Sequence, residues 1–379
     1  MHILIAPDSF KGSNSSLSVA EAIEEGIYRV FPDAEVEKIP IGDGGEGTVE
    51  AMVAASEGEI VKVPVTGPLG NKIEAQYGLL DPTTAVIEMA AASGLVLVPS
   101  DGKDVKAATT FGTGELILHA LDEGVEEIIL AIGGSATNDG GTGMASALGY
   151  RFKDKDGKIL PPGGGSLGEL AAIDTEGVDS RLAKTSFRVA CDVNNPLTGP
   201  HGASAVYGPQ KGASPEDVKI LDAALGNLAA VVKAQMGIED SEQPGAGAAG
   251  GLGYGLMVFC GARLETGIDL VLDAVNFEER LEGVDLVITG EGKLDGQTAY
   301  GKVPVGVSRR AKKQGIPVLA IAGDVDDDID EVYENGIESV MSTVKRAMTL
   351  EEAMAGGRDF LVDASERAMR MIRIGISLC

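Results

Sequence analysis

Four stretches place glycine, aspartate and hydroxyl residues directly after a hydrophobic run. They are APDSFKGS (6–13), PIGDGGEGT (40–48), AIGGSATNDGGTG (131–143) and ITGEGKLDGQT (288–298). Glycines let backbone approach a phosphate, and a following helix start offers free N–H groups. In GGSATNDGGTG, the pairs Gly133–Gly134 and Gly140–Gly141 flank Ser135, Thr137, Asn138 and Asp139. Such a loop can cradle a polyphosphate, with Asp139 holding Mg²⁺, which takes one or two carboxylates plus substrate phosphates. A solvated Asn-Asp-Gly turn is the plainer reading, but a simple turn does not need a loop this long. PIGDGGEGT offers Asp43, a metal candidate, and Glu46, and both acids also suit ordinary helix capping. APDSFKGS offers Asp8 and Ser9 to a substrate, and Lys11 to an anion. In CDVNNPLTGPHGA (191–203), Asp192 can take a hydroxyl proton while Asn194 and Asn195 orient the substrate. An Asx-turn before Pro196 explains the same residues without chemistry. After the hydrophobic run at 284–290, Glu291 is a metal candidate, Lys293 a catalytic cation and Asp295 a substrate contact.

Two motifs are decoys. DGQTAYGKVP (295–304) has Gly296, Gly301 and Lys302 at P-loop spacing, but Val303 stands where Ser or Thr would reach the metal. Its lysine is expected inside a helix rather than in the loop that leads one. GAGAAG (245–250) matches a dinucleotide fingerprint but follows DSEQP and not a strand. His2, His119 and His201 are too scattered for a zinc site.

Composition narrows the partners. Lys and Arg total 31 against 58 Asp and Glu, a net charge of −27 over 379 residues. That field repels nucleic acid and anionic lipid, so neither is an expected partner. An anionic substrate then needs local lysines, N–H groups or a metal. Three separated cysteines fit a reducing compartment, and the N-terminus MHILIAPDSF does not read as a signal peptide. A cytoplasmic protein is expected, and a homodimer is allowed. Glycine, at 53 residues, is about twice its usual ~7% share, which implies many tight turns.

The elements that position these loops follow from periodicity. Strand 2–7, helix 16–31, strand 34–42 and helix 45–58 alternate as in a helix-covered parallel sheet. From 59 to about 98, strands recur without helices, which indicates antiparallel structure. Helix 113–124, strand 126–134, strand 187–193, helix 215–237 and a glycine-rich helix over 245–262 follow. The last third reads as strand 284–292, helix 298–315, strand 316–324, a short helix, strand 337–342 and a closing helix over 350–375. Three strands here plus two at the start make one five-stranded parallel sheet. The expected domains are therefore 1–59 with 284–379, and an inserted α/β domain over 60–283.

Six loops in this order, APDSFKGS, PIGDGGEGT, GGSATNDGG, ACDVNNPL, GAGAAGGLG and TGEGKLDGQT, resemble the bacterial-type glycerate kinase family over about residues 2–373. The resemblance implies a flavodoxin-like domain interrupted by a second α/β domain. It also implies phosphorylation of D-glycerate from ATP with Mg²⁺, the 2-phosphate being favoured over the 3-phosphate. It assigns no catalytic residue, so the roles above rest on the residues themselves. A nicotinamide-dependent oxidoreductase of a small hydroxy acid and a non-catalytic anion-binding protein are the alternatives; neither accounts for all six loops.

Overall fold

The computed structural model describes residues 1–42, 45, 47–296, 298 and 302–378. In chain order its strands are β1 (His2–Pro7), β2 (Glu35–Lys38), β3 (Glu59–Thr66), β4 (Lys72–Asp81), β5 (Thr84–Glu88), β6 (Glu127–Ala131) and β7 (Arg151–Lys153). Then come β8 (Ala172–Asp174), β9 (Ser186–Ala190), β10 (Arg263–Glu265), β11 (Leu286–Leu294), β12 (Val318–Val325) and β13 (Ser339–Ser342). The chain divides into two units: Met1–Asp43, Glu50–Glu57 and Ile268–Cys379 form one, Gly44–Val49 and Gly58–Gly267 the other. Residues 268–283, expected in the inserted part, thus fall in the unit built from the chain ends.

In that first unit, five parallel strands lie in the order β13-β12-β11-β1-β2. Counted within the unit this is 2-1-3-4-5 reversed, the flavodoxin-like order, with its switch point between β1 and β11. The α/β fold class expected from the sequence is therefore present. β1 is HILIAP with five of six residues buried, as a strand covered on both faces must be. Ile3, Ile5, Ile288 and Ile321 build its core with Val19, Ile23 and Ile27 of the helix Ser16–Tyr28 and Leu361 and Met369 of the helix Gly357–Ile376. These two helices touch at Gly26, where a Cβ would come within 2.6 Å of the Ser365 Cβ. The Ser365 hydroxyl donates to the Ile23 carbonyl at 2.8 Å.

The second unit has a six-stranded sheet in the order β10-β9-β6-β5-β4-β3. β3, β4 and β5 pair antiparallel, as expected for 59–98, while β5, β6, β9 and β10 pair parallel. Its parallel part runs in one direction without a reversal, so it has no switch point.

Three element boundaries differ from expectation, each for a local reason. β11 continues to Leu294, so Glu291 and Lys293 lie on the strand and not after it. The helix expected over 298–315 is Val303–Lys313, with Lys302 extended at its N-cap (φ −75°, ψ 167°). Pro304 is tolerated only in a helix's first turn, which fixes the start there. Lys302 is thus ahead of the helix, a correction to the reading that put it inside; Gly301 lies outside the described residues. The closing helix is two, Leu350–Ala355 and Gly357–Ile376.

Adding one methyl at Gly26 should test the helix contact. Gly26→Ala overpacks it and is expected to lower stability by about 1–3 kcal/mol. Gly375→Ala, where no atom lies within 4 Å of the added Cβ, should be neutral or gain a few tenths, roughly the helix-propensity difference. Denaturant midpoints of the two variants check this; equal shifts would contradict the close packing.

Candidate active site

Parallel strands leave their carboxyl ends, and the loops that follow, on one edge of a sheet. At the switch point of the first unit these loops enclose a cavity of about 670 Å³. Asp8, Ser9, Lys11 and Ser13 reach it from the loop after β1, and Glu291 and Lys293 from β11. Lys302 and Asp324 complete the polar wall. Open α/β sheets bind ligands at this place, because the connections leave the switch point in opposite directions.

Glu291 is its most perturbed group. The carboxylate is only 5% exposed, and burial pushes it up to about 6. The Thr298 hydroxyl donates to it at 2.5 Å and the Lys302 ammonium lies 3.7 Å away, both favouring the charged form. Lys302 also lies 3.5 Å from Asp295, whose charge opposes ionisation of Glu291. Lys293 pairs with Asp326 at 3.3 Å, which raises its ammonium above its ordinary value. Asp8 is buried, and its carboxylate accepts the Ser9 N–H at 2.6 Å. Three lysines in a chain of charge −27 therefore converge on one cavity. Reading the sequence missed Lys302, because the flawed P-loop pattern drew attention to Val303, which is fully buried. The signal that could have found it is Pro304, which marks the helix start two residues on.

In the second unit the loop 133–143 follows β6. Gly133 and Gly134 are exposed, whereas Ser135 to Gly141 are buried. Asp139 is fully buried and accepts N–H groups from Thr110 (2.8 Å), Gly141 (3.1 Å) and Gly143 (3.2 Å) plus the Thr110 hydroxyl. Burial raises its carboxyl, against those bonds. Both oxygens are thus occupied in pinning the loop, and Asp139 does not face solvent as a metal ligand would. Asn138 donates to Ser204 at 2.9 Å. Buried Lys211 donates to the Ser135 hydroxyl at 2.7 Å and the Thr137 carbonyl at 2.6 Å, and desolvation brings it down to about 7. The GAGAAG stretch explains itself here. Ala249, Gly250 and Gly251 are left-handed (φ 53°, 71° and 87°), and a Cβ on Gly250 would come within 2.0 Å of the Thr137 carbonyl. Its glycines let backbone press on the 137–140 loop.

Asp192 and Asn194 are exposed after β9, and Asp192 accepts the Gly267 N–H at 2.8 Å. Asn195 instead holds its own loop, bonding the His201 carbonyl and the Tyr207 hydroxyl. Asp43 and Glu46 lie outside the described residues. Among the described residues there is no group of three or more side chains fit to hold a metal alone. None of their helices is long and apolar enough to cross a membrane.

This combination, a flavodoxin-like sheet with a lysine-lined switch point and a glycine-rich second unit, is that of an α/β enzyme handling anions. Residues 3–373 match the model of the glycerate kinase family. The chain is 51% identical to the glycerate kinase of Bacillus subtilis (strain 168), covering all of this chain and 98% of the relative. It is 50% identical to the glycerate 2-kinase of Escherichia coli (strain K12), covering 99% of each. A solved Salmonella typhimurium LT2 structure, provisionally named glycerate kinase 2, superposes with a TM-score of 0.92 at 49% identity, over 100% of this chain and 99% of that one. The chain belongs to the glycerate kinase family. It is accordingly an enzyme, a phosphotransferase with an alcohol group as acceptor.

Two titrations follow. Glu291 ionises only above about 6, so activity should fall as pH drops through that value. Glu291→Gln should remove that limb together with most of the activity, read from kcat/KM between pH 5 and 8; an unchanged acid limb would contradict it. For Lys211, the folded value of about 7 lies below the ordinary 10.5. Between these values the unfolded chain holds a proton that the folded one lacks, so stability should rise with pH across the window. Lys211→Met should abolish that rise, seen as a flatter unfolding midpoint from pH 7 to 10; an undiminished slope would contradict it.

Proposed function

We propose that the protein transfers the γ-phosphoryl group of ATP to the 2-hydroxyl of D-glycerate, with Mg²⁺. The observation that carries this reading is the convergence of Lys11, Lys293 and Lys302 on the switch-point cavity of a strongly acidic chain. Phosphoryl transfer asks mainly for positioning and charge neutralisation, and these cations supply both. Lys11 and Lys302 hold the glycerate carboxylate and the transferred group, aided by Asp8 and Ser9. Lys293 balances the polyphosphate.

Mg²⁺ fits the buried carboxylates Glu291 and Asp8 that line the cavity, since it takes one or two carboxylates and completes its shell with phosphate oxygens and water. When bound it neutralises charge on the phosphates. Asp139, committed to four donors, is left out of that set. Asp192 is the base: it takes the proton of the attacking hydroxyl as the new O–P bond forms and the bond to ADP breaks. In the first unit Asp295 orients the acceptor; in the second, Asn194 is the candidate for a substrate contact and the exposed backbone at Gly133 and Gly134 for a phosphate contact. The 2-position is supported by the name of the Escherichia coli relative. The chain is read as cytoplasmic, working on a small molecule without nucleic acid or membrane; a homodimer fits as well.

Incubation with Mg-ATP and D-glycerate should release ADP, and phosphorus NMR should show coupling to the single proton at C2. Coupling to two protons would move the product to the 3-phosphate, and no ADP would remove the acceptor. Asp192→Asn should lower kcat by about 10²–10⁴ with little change in either KM, the usual range for a general base. Near-normal turnover would take the base role from Asp192.

A further inference from the structure

The cavity has a second wall of opposite character. Val344, Met348, Leu350, Ala353 and Met354 line it from the segment after β13, with Phe10 buried beside them. Leu350 is 76% exposed and Val344 and Met354 38% each, an unusual concentration of accessible apolar surface opposite three lysines. The wall is held in shape. Thr349 and Glu352 form a reciprocal cap, each side chain accepting the other's N–H at 3.2 and 3.1 Å. Ser13 donates to the Met354 carbonyl at 3.0 Å, and left-handed Gly12 (φ 77°) lets the loop after β1 pass over the Met354 methyl.

A three-carbon acid uses none of this. Glycerate has no apolar face, and a cavity of 670 Å³ falls in the range of roughly 300–1,000 Å³ that encloses ligands of drug size. The reaction's other substrate has what the wall lacks: a flat base at one end and a polyphosphate at the other. Resting on the proposed function, we infer that the purine base of the donor nucleotide packs on the Val344–Met354 wall, with its polyphosphate running to Lys11, Lys293 and Lys302. Methionine and leucine suit this role, because the thioether and branched methyls mould to a planar ring. The absence of Trp, and one Phe at the wall, leave aliphatic contact as the means of holding the base.

The test is calorimetric titration of the full chain with ATP and, separately, with inorganic tripolyphosphate, without acceptor. Leu350→Asn is chosen because its side chain is mostly in solvent, and Met348→Asn is the second variant. Each should weaken ATP binding by about tenfold, the scale of losing one good apolar contact, and leave tripolyphosphate affinity unchanged. The KM for D-glycerate should stay at its wild-type value. Unchanged ATP affinity in both variants would overturn the inference, as would a parallel loss of tripolyphosphate affinity. If the wild type binds ATP but does not turn over D-glycerate, the acceptor assignment fails and the titrations still decide this one. If the wild type binds no ATP, the donor assignment and this inference fall together.

Discussion

The parallel pairing of β1 with β11 is the constraint on which the first unit depends. It joins residues from opposite ends of the chain, from Ile3 beside Leu286 to Pro7 beside Gly290. The pairing continues past the strand end, where the Asp8 N–H donates to the Gly290 carbonyl at 2.8 Å and the Thr289 hydroxyl donates to the Ala6 carbonyl at 2.8 Å. Gly290 has to be small, since a Cβ there would come within 2.3 Å of the Ile321 carbonyl on β12. Because β2 leaves on one side and β12 and β13 on the other, the connections diverge at this pair. The space they leave is the cavity, and its charged groups come from the loop after β1, from β11 and the segment that follows it, and, with Asp324, from β12.

Electrostatics decide what that space can take. With 27 excess negative charges, bulk attraction for an anion is absent, and affinity has to be local. Lys302 between Glu291 and Asp295, and Lys293 beside Asp326, are cations already balanced by acids. Such pairs keep the lysines in place without leaving the cavity strongly positive. An arriving phosphate or carboxylate exchanges one set of partners for another, and a metal gives the displaced carboxylates something to hold. Burial of Glu291 makes its ionisation sensitive to that exchange.

Much of this was legible in the sequence, and the misses are instructive. Alternation of strands and helices at both chain ends foretold the five-stranded sheet, because buried parallel strands read as continuous apolar runs such as HILIAP. Loops rich in Gly and Asp pointed to the strand ends, since polar loops after apolar strands have few other uses. Side-chain direction was not legible. Asp139 and Asp8 stand in similar loops, yet one turns inward to collect three backbone N–H groups while the other lines the cavity. GAGAAG, set aside as a dinucleotide fingerprint because no strand precedes it, supplies close backbone packing, a use that its spacing did not foretell. Lys302 was hidden because a helix boundary depends on one proline, and the apolar wall because Leu350 and Met354 were read as part of one closing helix over 350–375.

The central claim is that the switch-point cavity carries the phosphoryl transfer, and Lys302 tests it most directly. Its side chain is one-third exposed and, among the described residues, forms ion pairs with Glu291 and Asp295, so Lys302→Met should keep an unfolding midpoint close to the wild-type value. On this account, turnover of D-glycerate with Mg-ATP should drop by about 100-fold or more, the usual cost of removing one preorganised charge-stabilising donor. A correctly folded Lys302→Met variant with near-wild-type kcat and KM would contradict it, and would place the chemistry elsewhere in the molecule.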